Sequence, residues 1–205
     1  EPTSYHLGFV IGPRINAGGR VGKSSHGANL LLNSNAKDTF KLASELDQFN
    51  KERQMLEKDL LEKIINESKS NLKDPVLILD GENWHEGVIG IVAARLKDKY
   101  NKPTIIISKR GDIGKASARS IVGFDIGSVI IAATQESILL KGGGHKMAGG
   151  FSINVNNIKR FKEFVFNKFK GININLSVER PLLIDSKIAP SAINLDFYDK
   201  INVLS

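Results

Sequence analysis

The chain has 205 residues, with 29 Lys and Arg against 22 Asp and Glu, 41% hydrophobic residues and no cysteine. This excludes a disordered or collagen-like polymer, and the missing cysteines exclude disulfides, thiolate metal sites and a cysteine nucleophile. No apolar run approaches the roughly 20 residues of a membrane-spanning helix, and no charged-then-apolar leader opens the sequence, so a soluble, cytoplasmic protein without membrane contact is expected.

The net charge of +7 is unevenly spread. Residues 36–70 are nearly balanced, whereas 101–120 hold Lys102, Lys109, Arg110, Lys115 and Arg119 against Asp112 alone, and 151–175 hold Lys159, Arg160, Lys162, Lys168 and Lys170 against Glu163. Two separate basic stretches favour a polyanionic partner through counterion release and steering.

In chain order, residues 1–35 are rich in Gly and Asn without sustained periodicity, which predicts a looped segment with one short helix near 28–32. Asn35 is a natural N-cap, and Leu42, Leu46, Phe49, Leu56, Leu60 and Ile64 then recur at helical spacing. A helix over 36–68 would be about 50 Å long at 1.5 Å per residue. Its mixed charge and single apolar stripe suit a connector between domains or along one; Arg53 interrupts the stripe and weakens the alternative of a coiled-coil arm.

After residue 71 the texture changes. Residues 76–80 (VLILD) and 104–108 (TIIIS) have the length of buried strands, and 88–100 between them has helical spacing, which makes a βαβ unit with a parallel strand pair. A further strand over 115–121, a helix over 125–140, a strand over 149–154 and a closing helix over 157–169 complete a compact α/β domain. From 176 something else begins, with a strand over 182–188 and a short helical stretch.

Four segments carry candidate chemistry. Gly12 to Arg20 sets Arg14, Asn16 and Arg20 among glycines, and arginine presents a planar fork that matches phosphate oxygens. On the strand over 115–121, Ser117 and Arg119 share a face by the two-residue period, with Ser120 beside them. Gly142, Gly143 and Gly144, followed by His145, lie between a helix and a strand, where successive amides make an anion nest and the imidazole can donate to a phosphate. Trp84, His85 and Glu86 open a helix; Asp80, Glu82, His85 and Glu86 match no standard ligand spacing, so no metal site is assigned, and Trp84 reads as a packing residue. P-loop, GxSxG and Asp-rich motifs are missing.

The stretches YHLGFVIGPRINAGGRVG (5–22), LDQFNKERQ (46–54), ENWHEGVIGIVAARL (82–96), ASARSIVGFDI (116–126) and GGGHKMAGGFSI (142–153) resemble, in this order, the C-terminal part of the RecJ family, single-strand-specific 5′→3′ exonucleases of the DHH phosphoesterase superfamily. The resemblance covers about residues 5–188. It implies the looped end of a DHH-side segment at 1–35, a connecting helix at 36–70, a DHH-associated nucleic-acid-binding domain at 71–175 and the truncated start of an OB-like domain at 176–205. In the family a separate DHH domain holds two manganese or magnesium ions and cuts the phosphodiester; this piece would hold no cofactor and be inactive alone. Arg14, Asn16, Arg20, Ser117, Arg119, Ser120, Gly143 and Gly144 would grip the phosphates of single-stranded DNA, with His145 supporting catalysis. Gly18 and Gly19 stand where the family commonly has two alanines. Roles in DNA repair and recombination, and a single-strand-binding protein or repair helicase as partner, are likewise implied by the family. Another DHH-type oligonucleotidase or phosphatase, or a non-catalytic nucleic-acid-binding module, are the alternatives.

Overall fold

The structure, a computed structural model, describes residues 2–67, 71–172 and 184–203. Its N-terminal segment is helical where loops were expected: a π-helical turn at His6–Ile11 runs into α1 (Gly12–Val21), while the short helix expected near 28–32 is present as α2 (Ser25–Leu32). Packing overrides the poor helix propensity of glycine here. A Cβ on Gly18 would stand 2.9 Å from the Lys23 carbonyl and 3.1 Å from Leu46 Cδ2. The glycines are therefore where α1 comes close to its neighbours, with Ala17 and Gly18 buried.

The long helix forms as the periodicity predicts. α3 (Ala36–Glu67) has 32 residues, and Asn35 Oδ1 caps it by accepting from the amides of Lys37 at 2.9 Å and Asp38 at 3.3 Å. Arg53, which breaks the apolar stripe, belongs to a buried polar junction. It donates to Asn50 Oδ1 at 2.9 Å and to Glu57 at 2.8 Å, and Glu57, 2% exposed, also holds Arg95 of the next helix. Such a junction costs desolvation, and its geometry fixes how the two helices meet.

Beyond α3 lie β1 (Leu77–Glu82), α4 (Glu86–Tyr100), β2 (Thr104–Arg110), β3 (Ile113–Arg119), α5 (Ile126–Gln135), β4 (Lys141–His145), β5 (Ala148–Asn154) and α6 (Ile158–Lys170). The strands make one sheet in the order β1-β2-β3-β5-β4, with β1 and β2 parallel across the α4 crossover and every other pair antiparallel. The apolar runs of β1 and β2 are continuous because the sheet is covered on both faces. Leu77, Leu79 and Ile106 meet α4 together with Leu60 and Ile64 of α3, while Ile78, Ile105 and Ile107 face the core built with α5 and α6. Phe161, Val165 and Phe169 of α6 are buried there and Phe164 is half-buried. The protein is thus an α/β fold attached to a long helix.

Two expectations on the domain's far side are corrected. The helix expected over 125–140 stops at Gln135, and the glycine triplet lies in a strand, β4, instead of a loop. Glycine lowers strand propensity, yet Gly142, Gly143 and Gly144 pair with Phe151, Gly150 and Gly149. A Cβ on Gly142 would stand 2.7 Å from Ile130 and 2.8 Å from Phe151 Cβ, so bare backbone is what lets this edge strand lie under α5. A paired strand alternates its amides between two sides, which rules out the nest of successive amides at this triplet.

Of the strand expected over 182–188, residues 182–183 lie outside the described residues and 184–188 form no strand; α7 (Leu195–Asn202) follows. Among the described residues no helix is long and apolar enough to cross a membrane.

Half-buried Asp80 at the end of β1 ties the sheet to α6. Burial pushes its carboxyl up, but Lys162 at 2.8 Å and Lys109 at 3.1 Å outweigh that and hold it below the usual carboxylate range. A carboxylate more acidic in the folded than in the unfolded chain adds stability above its ordinary pKa and loses it as the pH falls through the folded value. Asp80→Asn should therefore lower the urea midpoint at neutral pH, and the gap from wild type should close in acid; a gap that is constant with pH would show that the ion pairs do not produce it.

Candidate phosphate-binding cleft

Between the start of α4, β3 and the β4–β5 hairpin lies a cleft of about 670 Å³ whose lining includes Arg20, Gly87, Gly90, Lys115, Ser117, Arg119 and Gly143. Strand alternation places Lys115, Ser117 and Arg119 on the α4 side of the sheet, while Ala116 and Ala118 enter the core behind it. Arg20 arrives from the last turn of α1 and donates to the Gly87 carbonyl at 3.2 Å. Glycines on α4 make the convergence possible. A Cβ on Gly87 would collide with the Arg20 carbonyl, and one on Gly90 would lie 3.0 Å from Ser117 Oγ and 3.1 Å from Arg119 Nη2.

Arg119 donates to Ser117 Oγ at 3.1 Å and to the Ala118 carbonyl at 2.8 Å. Burial, and then the charge of Arg20, push the Arg119 guanidinium below its ordinary pKa. It remains a cation at physiological pH. Among the described residues neither arginine has a carboxylate partner, so two like charges share a partly desolvated cleft without compensation. A bound oxyanion would supply that compensation and match the planar forks of the guanidiniums.

The other sequence candidates divide. Gly143 lines the cleft. Arg14 is engaged elsewhere, donating to Asp47 at 2.8 Å and to the Val10 carbonyl at 2.7 Å; Lys51 first, and then Arg14, hold Asp47 below its usual pKa. Asn16 lines a separate hollow beside Arg20 and Arg53. Ser120 is buried, and its hydroxyl donates to the Phe124 carbonyl at 2.6 Å, which makes it a structural residue. Gly144 and His145 lie at the exposed end of the β4–β5 hairpin and are not part of the cleft lining; His145 Nδ1 faces the Met147 amide at 3.4 Å. Sequence reasoning missed Lys115 and Lys141. The two-residue period that paired Ser117 with Arg119 reaches Lys115 as well, but nothing in the sequence joins Lys141 to them.

His85 caps α4, its Nδ1 accepting from the Gly87 amide at 3.1 Å. Lys109 holds both Asp80 and Glu82, and Lys115 holds Glu86 at 2.8 Å. Among the described residues no three His, Asp or Glu side chains group so as to hold a metal ion. Among the described residues, the side chains around the cleft do not fit a divalent cation.

A five-stranded α/β domain beside a long helix defines a class of fold, and the comparisons with known proteins agree with it. Residues 73–171 match the DHHA1 domain. The chain is 40% identical over 174 residues to the single-stranded-DNA-specific exonuclease RecJ of Haemophilus influenzae and 36% identical over 167 residues to that of Escherichia coli, alignments covering 81% and 77% of this chain. The crystal structure of RecJ in complex with Mg2+ from Thermus thermophilus superposes with a TM-score of 0.81 at 29% identity, covering 97% of this chain and 30% of that one. The chain belongs to the RecJ family. It spans 30% and 29% of the length of the Haemophilus and Escherichia relatives.

Gly90→Ala tests the geometry. Alanine favours the helix by roughly 1 kcal/mol and the guanidinium end can yield, so stability should stay within about 1 kcal/mol of wild type. Displacing Arg119 by a few tenths of an ångström should nevertheless weaken pyrophosphate binding severalfold by titration calorimetry; unchanged binding would detach Arg119 from the anion.

Proposed function

We propose that this chain is the strand-gripping portion of a single-stranded-DNA-specific 5′→3′ exonuclease of DNA repair and recombination, and that the cleft between α4, β3 and the β4–β5 hairpin takes the 5′-terminal phosphate. The observation that carries the reading is the meeting of Arg20 and Arg119, from segments about a hundred residues apart, in a cleft where neither has a carboxylate partner among the described residues. The relatives' activity on single-stranded DNA supports it.

In this reading Arg119, held by Ser117 and the Ala118 carbonyl, presents its free N–H groups to the terminal phosphate. Arg20 contributes the second charge, and Lys115 and Lys141 lie along the same lining. The rigid strand and helix fix the phosphate's position, and a terminus held at a constant place sets which bond reaches a cutting centre, which is what confers polarity. Asp80, Glu82 and Glu86 are engaged by lysines, and among the described residues no group of carboxylates and imidazoles is placed to hold a divalent ion, so in this reading the chain's share of the reaction is holding and orienting the strand. Cleavage belongs to a metal-bearing DHH domain, as the metal-bound RecJ crystal structures suggest.

Arg119→Ala should weaken binding of a 5′-phosphorylated single strand by about 1.5 to 3 kcal/mol, the range for a hydrogen bond to a charged group. It should barely affect a strand that lacks the phosphate. Fluorescence anisotropy with both strands decides, and equal losses would remove Arg119 from the terminus. Incubated with manganese and a labelled strand, the 205-residue chain should leave the label intact; release of nucleotides would place cutting residues in this chain.

A further inference from the structure

A second cleft, of about 850 Å³, adjoins the first. The two share Gly19, Arg20, Glu86, Gly87 and Lys115 as a common wall. We infer that the second cleft is a subsite for the nucleotides that follow the held terminus, so that a single strand crosses the Arg20 and Lys115 wall and continues between α3 and the ends of β1 and β2. This rests on the first cleft being the terminus site.

The second cleft adds Lys63 of α3 and Arg110 at the end of β2, both exposed and neither paired with a carboxylate among the described residues. Their neighbours differ: Lys58 meets Glu62 at 4.0 Å and Lys109 meets Asp80 and Glu82, each at 3.1 Å. The cations beside them are thus spent on carboxylates, whereas Lys63 and Arg110 are free among the described residues and face the same cleft. Arg20, Lys115, Lys63 and Arg110 form a run of cations over both hollows, the arrangement by which a groove follows a phosphate backbone without reading sequence.

The floor supplies the other half of such a groove. Trp84 lines it with Leu56 and Leu60, half-buried, one side of its indole lying against Gly81, where a Cβ would collide with the ring. An aromatic edge and aliphatic side chains beside cations suit a base, because every base offers an apolar face. Asp59 of α3 also lines this cleft beside Lys63, and the opposing element at the shared wall is Glu86. Its carboxylate holds Lys115 at the wall, so a phosphate crossing there must exchange for it, and a duplex with twice the charge and width gains no second row of cations. The ligand class is single-stranded polynucleotide longer than the first cleft can hold.

Trp84 is the one tryptophan of the chain, so its fluorescence reports on the second cleft. A 5′-phosphorylated dithymidylate should bind without changing it, and an oligothymidylate several times as long should bind more tightly and shift it. Lys63→Ala with Arg110→Ala, both at exposed positions, should leave dithymidylate affinity unchanged and lower the affinity for the long strand on the order of tenfold, with its salt slope reduced by about 0.7 for each cation removed. A double variant that binds the long strand like wild type, or a Trp84 signal equal for both lengths, overturns the second subsite. Loss of dithymidylate binding in wild type, or its indifference to Arg119→Ala, instead overturns the first cleft as the terminus site.

Discussion

The cleft depends on two positions in α4 that carry no side chain. At Gly87 the backbone of α1 reaches that of α4 closely enough that any Cβ would strike the Arg20 carbonyl, and one turn later Gly90 leaves the space into which Ser117 and Arg119 project. Filling the first gap would force the backbones of α1 and α4 apart, whereas filling the second would only nudge the Arg119 guanidinium. Helix interiors usually exclude glycine because of its entropy, so two glycines three residues apart are a local cost that is recovered only through contacts made far away in sequence.

Charge is used in two ways that composition cannot separate. Much of the basic stretch 101–120 is spent on the fold: Lys109 serves Asp80 and Glu82, Lys115 holds Glu86, and Lys102 donates to the Leu72 carbonyl. From 151–175, Lys162 anchors α6 to Asp80. Other cations have no carboxylate partner among the described residues, but Arg20 and Arg119 in one cleft and Lys63 and Arg110 in the next are the ones that line hollows together. That placement is not readable from the net charge of +7.

The long helix places this set as well as spanning it. Its buried junction of Asn50, Arg53 and Glu57 takes in Arg95 of α4, so the helix that carries Gly87 and Gly90 is registered against α3 by one ion pair in addition to the apolar contacts of Leu60 and Ile64. Apolar packing alone tolerates sliding, whereas a buried carboxylate between two guanidiniums does not. The residue that interrupts the helical stripe, Arg53, holds Glu57, and Glu57 is the side chain that reaches Arg95 across the two helices.

Periodicity made the regular parts legible. The α3 stripe and its Asn35 cap, the parallel strands on either side of α4, and the shared face of Ser117 and Arg119 all follow from repeats of 3.6 and 2 residues, which local stereochemistry imposes wherever a chain is regular. The ordered motifs also carried the family. Glycine-rich segments were not legible, because glycine weakens both helix and strand: residues 12–21 became a helix and 141–145 a strand only where neighbours demanded bare backbone. Nor did the sequence distinguish Arg14, bound to Asp47, from Arg20, six residues on and free to meet Arg119. Which arginine faces an anion depends on which carboxylates folding brings beside it, and those distances exist only between elements, not along the chain.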